Sequence, residues 1–330
     1  MGYDGTILRR ANGRLDAQKE EKQRREALLR DEVYKKIPRV AAIDLALRET
    51  VTRAIAAALS HGTDTAEAVE KQRRENLKLQ EERTGLLVAA RYDPAALSGA
   101  PLCPDCGDSG WNDGKMCHCL RDLCAQEQTR ELSKTLDMAR QSFSEFDLTL
   151  YPTAVGENGR SPRETMTRVL ASCKDYAEQF PNVKPQNLYL YGGTGLGKTF
   201  LSAAIAGVVV RRGFSVVYDA AANIFAQFEL QKFSRDLGDS QDAKDETRRY
   251  LNCDLLIIDD LGSEFTTPFV QSALYTIINT RLVKNKCTVI SSNLSMPESE
   301  RRYTPQVASR LKGEYRGLPF VGDDIRLLKK

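Results

Sequence analysis

Gly192, Gly193, Thr194, Gly195, Leu196, Gly197, Lys198 and Thr199 follow the spacing Gly-x4-Gly-Lys-Ser/Thr. Glycines at these intervals let successive backbone N–H groups turn inward as an anion nest. A helix starting at the loop's end adds the positive pole of its dipole. Lys198 is expected to reach the β- and γ-phosphates of ATP, and the Thr199 hydroxyl to ligate Mg²⁺. The alternative is a glycine turn that binds nothing. The strand-like run before the loop and the apolar helical run after it speak against that.

A second set of candidates ends the run Leu255-Leu-Ile-Ile-Asp-Asp260. A buried apolar strand closing in carboxylates delivers them to the C-terminal edge of a parallel sheet, where open α/β folds bind ligands. Asp259 is expected to hold Mg²⁺ opposite Thr199, directly or through water, and Asp260 to orient the attacking water. A solvent-facing acidic turn is the competing account. Asn293 follows another strand-like run, Val289-Ile-Ser-Ser292, and is either a γ-phosphate neighbour or an ordinary turn residue.

Five of eight cysteines crowd between Cys103 and Cys124. Cys103-Pro-Asp-Cys106 and Cys117-His-Cys119 flank a Gly-rich loop, so that thiolates from two turns can converge on Zn²⁺. Cys103, Cys106, Cys117 and Cys119 are the chosen ligands; His118 and Cys124 stay open as the fourth. Redox-active thiols are the rival reading. Cys173, Cys253 and Cys287 sit in apolar surroundings and read as small buried hydrophobes.

These residues need elements to hold them. Asn187-Leu-Tyr-Leu-Tyr191 reads as the strand entering the Gly-rich loop, and Thr199 to Arg211 as the helix leaving it. Phe214–Tyr218, Asp254–Ile258 and Cys287–Ser291 read as further strands, separated by helical runs. Short β-rich runs alternating with helices predict an α/β fold, a parallel sheet covered on both faces. Ahead of it, residues 8 to about 90 show helical periodicity with breaks near Pro38 and His61-Gly62. The organisation expected is therefore a helical region at 1–95, a zinc module at 100–125, a linker at 126–160 and an ATPase domain at 161–330.

Net charge is only +3, so nucleic-acid contact requires a local patch. No stretch approaches 18 apolar residues, and the N-terminus lacks the pattern of a secretory signal. A cytoplasmic protein without membrane contact is expected.

The order of motifs is distinctive. The Gly-rich loop is followed by Leu255–Asp260 continuing as Leu-Gly-Ser-Glu264, then Val289–Ser295, Val307-Ala-Ser-Arg-Leu311 and Asp324-Ile-Arg326. It resembles the DnaC/DnaI helicase-loader branch of the AAA+ ATPases, whose relatives include IstB-type transposition ATPases. The resemblance covers about residues 140 to 330. The cysteine island with Phe143-Ser-Glu-Phe-Asp147 and Tyr151-Pro152 extends it back to about residue 100. It implies that Asn293 is a first sensor, Arg310 an arginine finger acting on a neighbouring subunit, and Arg326 a second sensor. An arginine supplied in trans makes hydrolysis depend on self-association. A surface salt bridge is the alternative for either arginine. Only four residues follow Arg326, so no complete helical lid is expected. Asp260 stands where many AAA+ enzymes carry Glu, which suits a slow switch.

The same resemblance implies a zinc module between a helicase-binding region and the ATPase. It also implies a path for single-stranded DNA along Ala221 to Tyr250. There Lys232, Phe233 and Arg235 are the candidate contacts, through stacking and charge. Phe225 and Phe228 are either stacking residues or core. The function implied is ATP-controlled loading of a DnaB-type hexameric helicase onto single-stranded DNA. A transposition helper of IstB type that remodels duplex DNA is the second reading, and an adaptor in which hydrolysis is incidental the third.

Overall fold

The computed structural model describes residues 3–59, 65–138, 140–155, 159–233 and 237–328. Two compact units emerge: Gly13–Cys119, and Met1–Asn12 together with Leu120–Lys330.

The first unit is largely helical. It takes helix α1 (Gly5–Lys36) from Gly13 onward; α1 ends just before Pro38, where α2 (Pro38–Leu59) begins, and α3 (Thr65–Ala89) follows. The break falls where proline removes a backbone donor and tolerates only the first helical turn. Val33, Val40, Leu87 and Leu97 form a small core. Asp44 ties this bundle together by accepting from Tyr34 (2.7 Å) and Arg83 (2.6 Å). The two-stranded ribbon β1 (Trp111–Asn112) and β2 (Lys115–Met116) is closed by Asp113 and Gly114, both at positive φ. Asp-Gly is the pair that a tight two-residue hairpin demands.

Helix α4 (His118–Leu132) leads into the second unit. After it come α5 (Pro162–Gln179), β3 (Asn187–Tyr191), α6 (Lys198–Arg211), β4 (Val216–Ala220), α7 (Ala221–Phe233), α8 (Leu237–Asn252) and β5 (Leu255–Leu261). Then follow α9 (Pro268–Val283), β6 (Cys287–Ser292), α10 (Met296–Arg302), α11 (Pro305–Glu314), β7 (Tyr315–Pro319) and α12 (Ile325–Leu328). The sheet is entirely parallel, in the order β4-β5-β6-β3-β7. The strand that enters the Gly-rich loop, β3, thus lies between β6 and β7.

One face of the sheet packs Val169, Cys173, Leu201, Ile205 and Val209 from α5 and α6; the other packs Ile224, Leu274, Ile277, Val307 and Leu311. Strands covered on both faces read as apolar runs, as Leu255–Ile258 does. Two strands sit later than the pattern indicated: β4 runs to Ala220 and β5 to Leu261. The stretch Ala221 to Tyr250 resolves into α7 and α8.

Strand β7 has no counterpart in the sequence reading. It is an edge strand whose Arg316 and Gly317 are exposed and whose last residue is Pro319, a composition tolerated only at a sheet margin. Arg281, with no exposed surface, donates to the carbonyls of Tyr250 (2.7 Å) and Cys253 (3.1 Å) and to the Thr288 hydroxyl (3.0 Å). It thereby joins α8, α9 and β6 beneath the sheet.

Candidate functional site

The Gly-rich loop connects β3 to α6 and is held from two sides. Gly192 has φ 144°, Gly195 φ 70° and Gly197 φ 88°, backbone values that a side chain would strain. A Cβ at Gly195 would lie 1.7 Å from an Asp324 carboxylate oxygen, and the Ile325 N–H donates to the Gly195 carbonyl at 3.0 Å. The C-terminal segment therefore lies across the loop and carries Arg326 into the cleft. From the other side, the Tyr151 hydroxyl donates to the Leu196 carbonyl at 2.9 Å, and the Phe146 ring lies against Gly197.

Lys198 is nearly buried and donates to the carbonyls of Gly192 (2.8 Å) and Gly193 (2.6 Å). Burial holds its ammonium below the ordinary lysine range; Asp260 and Asp259 oppose that shift and Arg326 adds to it.

Asp259 is the most heavily supported carboxylate in the cleft. Tyr218 donates to it at 2.7 Å, Ser291 donates to its other oxygen, and the Thr199 hydroxyl stands 3.2 Å away. Burial first, and then Asp259, push the Tyr218 phenol well above its usual value, so it stays a donor. Two neighbouring ligands of an octahedral Mg²⁺ at about 2.0–2.1 Å lie about 2.9 Å apart. The Thr199–Asp259 pair fits that spacing.

Asp260 is adjacent in the chain and on a regular strand would face the opposite side. Here β5 carries a register irregularity between Ile258 and Leu261, and Asp260 adopts φ 55°. Asp tolerates that left-handed conformation better than most residues. Its N–H donates to the Ser291 hydroxyl at 3.0 Å. Both carboxylates consequently line one cleft of about 590 Å³, together with Lys198, Thr199, Ser291 and Arg326.

Asn293 is not among the residues lining that cleft. Strand β6 ends at Ser292, whose hydroxyl accepts from the Leu294 N–H at 3.0 Å. The chain has turned by Asn293, which is exposed and faces Gly262. Ser291, two residues earlier, occupies the place beside the acids. Sequence reasoning missed it because serine inside a strand carries no motif of its own.

Arg310 also lies outside the cleft. Its guanidinium donates to Asn279 at 2.8 Å and to the Tyr275 hydroxyl at 3.1 Å, and stacks 4.6 Å from the Tyr275 ring centre. It is thus presented on the α9–α11 face of the unit.

Of the candidate DNA contacts, Phe233 is well exposed and lies 5.5 Å from Phe269, ring centre to ring centre. The Lys232 ammonium sits 5.4 and 5.3 Å from those two rings. Arg235 lies outside the described residues. Phe225 is buried and Phe228 packs against the same core, so both are structural.

In the other unit, the sulfurs of Cys103, Cys106, Cys117 and Cys119 all lie within 4.8 Å of one another. Cys103 and Cys117 are 3.7 Å apart, and Cys106 and Cys119 3.5 Å. Four thiolates about 2.3 Å from a tetrahedral Zn²⁺ would be separated by about 3.8 Å. The donor set and its spacing fit zinc. Burial raises the Cys103 thiol. Burial also works against ionising Cys106, but the Gly110 backbone and the neighbouring thiols bring it down to about 6. His118 stands beside the cluster, 3.5 Å from the Cys117 sulfur, with Asp105 at 3.4 Å. Cys124 is fully buried and is not one of the four.

Among the described residues no helix is long and apolar enough to cross a membrane.

The chain is similar over part of its length to known proteins. The replicative helicase loader DnaI of Bacillus subtilis (strain 168) is 27% identical over 198 residues, 57% of this chain and 56% of that protein. The chromosomal replication initiator protein DnaA of Caldanaerobacter subterraneus subsp. tengcongensis is 28% identical over 198 residues, 58% of this chain and 40% of that protein. The chain thus spans about half the length of the curated relatives it matches. A crystal structure of the DnaC helicase loader superposes with a TM-score of 0.45 at 20% identity, covering 56% of this chain and 99% of that one. Residues 116–308, more than half of the chain and containing both the phosphate loop and the bulged acidic strand, match the IstB-like ATP binding proteins, and the chain belongs to that family.

Proposed function

We propose that this chain is an ATP-hydrolysing helicase loader that engages a DnaB-type hexameric replicative helicase and single-stranded DNA in the cytoplasm. ATP and Mg²⁺ occupy the cleft: Lys198 binds the phosphates, Thr199 and Asp259 hold the metal, and Asp260 orients water. Arg326 contacts the γ-phosphate side of the same nucleotide.

The observation that carries the assembly-dependent part is the position of Arg310. It is held by Tyr275 and Asn279 on the α9–α11 face, away from its own cleft, and from that face it completes the site of a neighbouring copy. Hydrolysis then reports assembly, and Asp260, a short carboxylate, suits a switch more than a motor. The helical region 1–95 docks the helicase, and Lys232, Phe233 and Arg235 contact DNA by stacking and charge. A structural zinc ion on Cys103, Cys106, Cys117 and Cys119 stiffens the segment between those functions.

The likeness to the loader DnaI supports this reading, and the family match keeps the IstB-type alternative in play. Co-purification of the full chain with a DnaB-type helicase, in the presence of ATP and single-stranded DNA, tests it. Capture that requires residues 1–95 is expected. No helicase binding, coupled with ATP turnover stimulated by duplex DNA alone, would favour the transposition helper instead.

A further inference from the structure

We infer that Tyr218 is a positioning residue for the metal ligand Asp259, and that Asp219 links the same carboxylate to the α7–α8 pair. Through that link, single-stranded DNA held by α7 tightens the binding of Mg²⁺ and ATP; this regulation rests on Lys232 and Phe233 being DNA contacts. Among the described residues β4 pairs only with β5, at the margin of the sheet, and its successive side chains point to opposite faces. Tyr218 faces the α6 side, where its hydroxyl donates to Asp259 at 2.7 Å and stands 3.3 Å from the Ser202 hydroxyl. Asp219 faces the other side. One of its oxygens accepts from Tyr250 of α8 at 2.7 Å, and the other from Asn223 of α7 at 2.9 Å. Two adjacent residues thus tie the metal ligand to both helices of the pair.

The link has little slack. Helix α7 begins at Ala221, the residue after β4 ends, so no loop separates strand from helix. Tyr250 is buried and shares a core cluster with Ile224 and Phe225 of α7. Lys232 and Phe233 stand at the far end of that helix, about 18 Å from Ala221 at the usual rise per residue. A DNA strand seated there orders α7. Asp219 and Tyr218 are then held, and the Asp259 carboxylate is fixed in place. Ordering already supplied by DNA is not repeated when the nucleotide enters, which gives positive coupling without a new contact. Linkage makes the effect reciprocal, so DNA affinity rises by the same factor when Mg²⁺ and ATP are bound.

The test uses the full chain and measures ATP affinity with Mg²⁺, with and without saturating oligothymidylate, and again in EDTA. In the parent, DNA should tighten ATP binding in Mg²⁺ by about fivefold or more. Tyr250→Phe removes one hydroxyl bond and keeps the buried ring. Its affinity without DNA should stay within about twofold of the parent, while the DNA effect falls below about twofold. Asn223→Ala, at an exposed position, should reduce the DNA effect in the same direction even if Tyr250→Phe fails to fold. Tyr218→Phe should weaken ATP binding in Mg²⁺ by about tenfold and leave binding in EDTA unchanged, a split that general loosening of the fold does not produce. Affinities that change together in Mg²⁺ and EDTA, or not at all, would remove the positioning role. A parent that binds DNA yet shows the same ATP affinity with and without it would overturn the coupling. So would a folded Tyr250→Phe protein that keeps the parent's DNA effect. A parent that binds no oligothymidylate would instead sink the reading of Lys232 and Phe233 as DNA contacts, and the regulation with it.

Discussion

The Ser291 hydroxyl donates a hydrogen bond to the Asp259 carboxylate while accepting one from the Asp260 N–H at 3.0 Å. One small side chain on β6 thereby sets both acids of the neighbouring strand. Asp259 is fixed directly, and Asp260 through the backbone that its left-handed conformation exposes. The consequences can be measured.

Replacing Ser291 with Ala removes a bond to a charged acceptor, worth about 1.5–3 kcal/mol, and strands the Asp260 N–H. The Mg²⁺ concentration needed for half-maximal ATP binding should rise by roughly tenfold. A magnesium titration of ATP affinity that is unchanged from the parent would show that Ser291 does not position the metal ligand.

Lys198 should make ATP binding sensitive to alkaline pH. The protonated ammonium is the form that attracts phosphate, and burial lowers its pKa despite Asp260 and Asp259. As pH rises, the proton is lost earlier than from an unburied lysine, and affinity falls with it. Lys198→Arg should bind more weakly at neutral pH, because the planar fork differs in shape, yet show a flatter profile since arginine stays charged. Parallel profiles for the two proteins would contradict this.

Arg310→Ala should leave ATP affinity within about twofold of the parent, because the residue is absent from its own cleft. Arginine fingers contribute on the order of 10³-fold or more to turnover, so hydrolysis should nearly vanish. Mixing this variant with Lys198→Ala, whose Arg310 is intact, should restore part of the activity. No recovery in the mixture would argue that the arginine does not act across subunits.

The full chain should carry about one zinc per molecule by elemental analysis. Cys119→Ser should lose most of it, and His118→Ala should keep it, because the sulfurs alone form the cluster. Zinc retained in the Cys119 variant but lost in the His118 variant would reverse that assignment. Chelation should also open residues 100–119 to protease, since structural zinc supplies apparent folding energy of about 10 kcal/mol or more in small modules.

Much of this protein was legible in its residues. The phosphate loop, the strand before it and the helix after it are local patterns, because nest, dipole and periodicity are set by neighbours a few positions apart. The four apolar residues ahead of Asp259 marked a buried strand for the same reason. The break at Pro38 follows from the missing backbone donor of proline.

Other features depended on contacts between distant segments. A period-two strand would send Asp259 and Asp260 to opposite faces; only the pairing of β5 with β6, and the irregularity in it, turns both toward one cleft. Ser291, Phe146 and Gln141 line that cleft, and Tyr218 reaches Asp259, because of sheet order and of the connector before α5, neither written in any short motif. Cys119 lies in the sulfur cluster with His118 beside it, a choice between adjacent side chains that the Cys117-His-Cys119 spacing left open. The edge strand β7 escaped notice because its backbone pairing with β3, not its side chains, makes it a strand. Local chemistry named the nucleotide site, and the register of the sheet decided which atoms complete it.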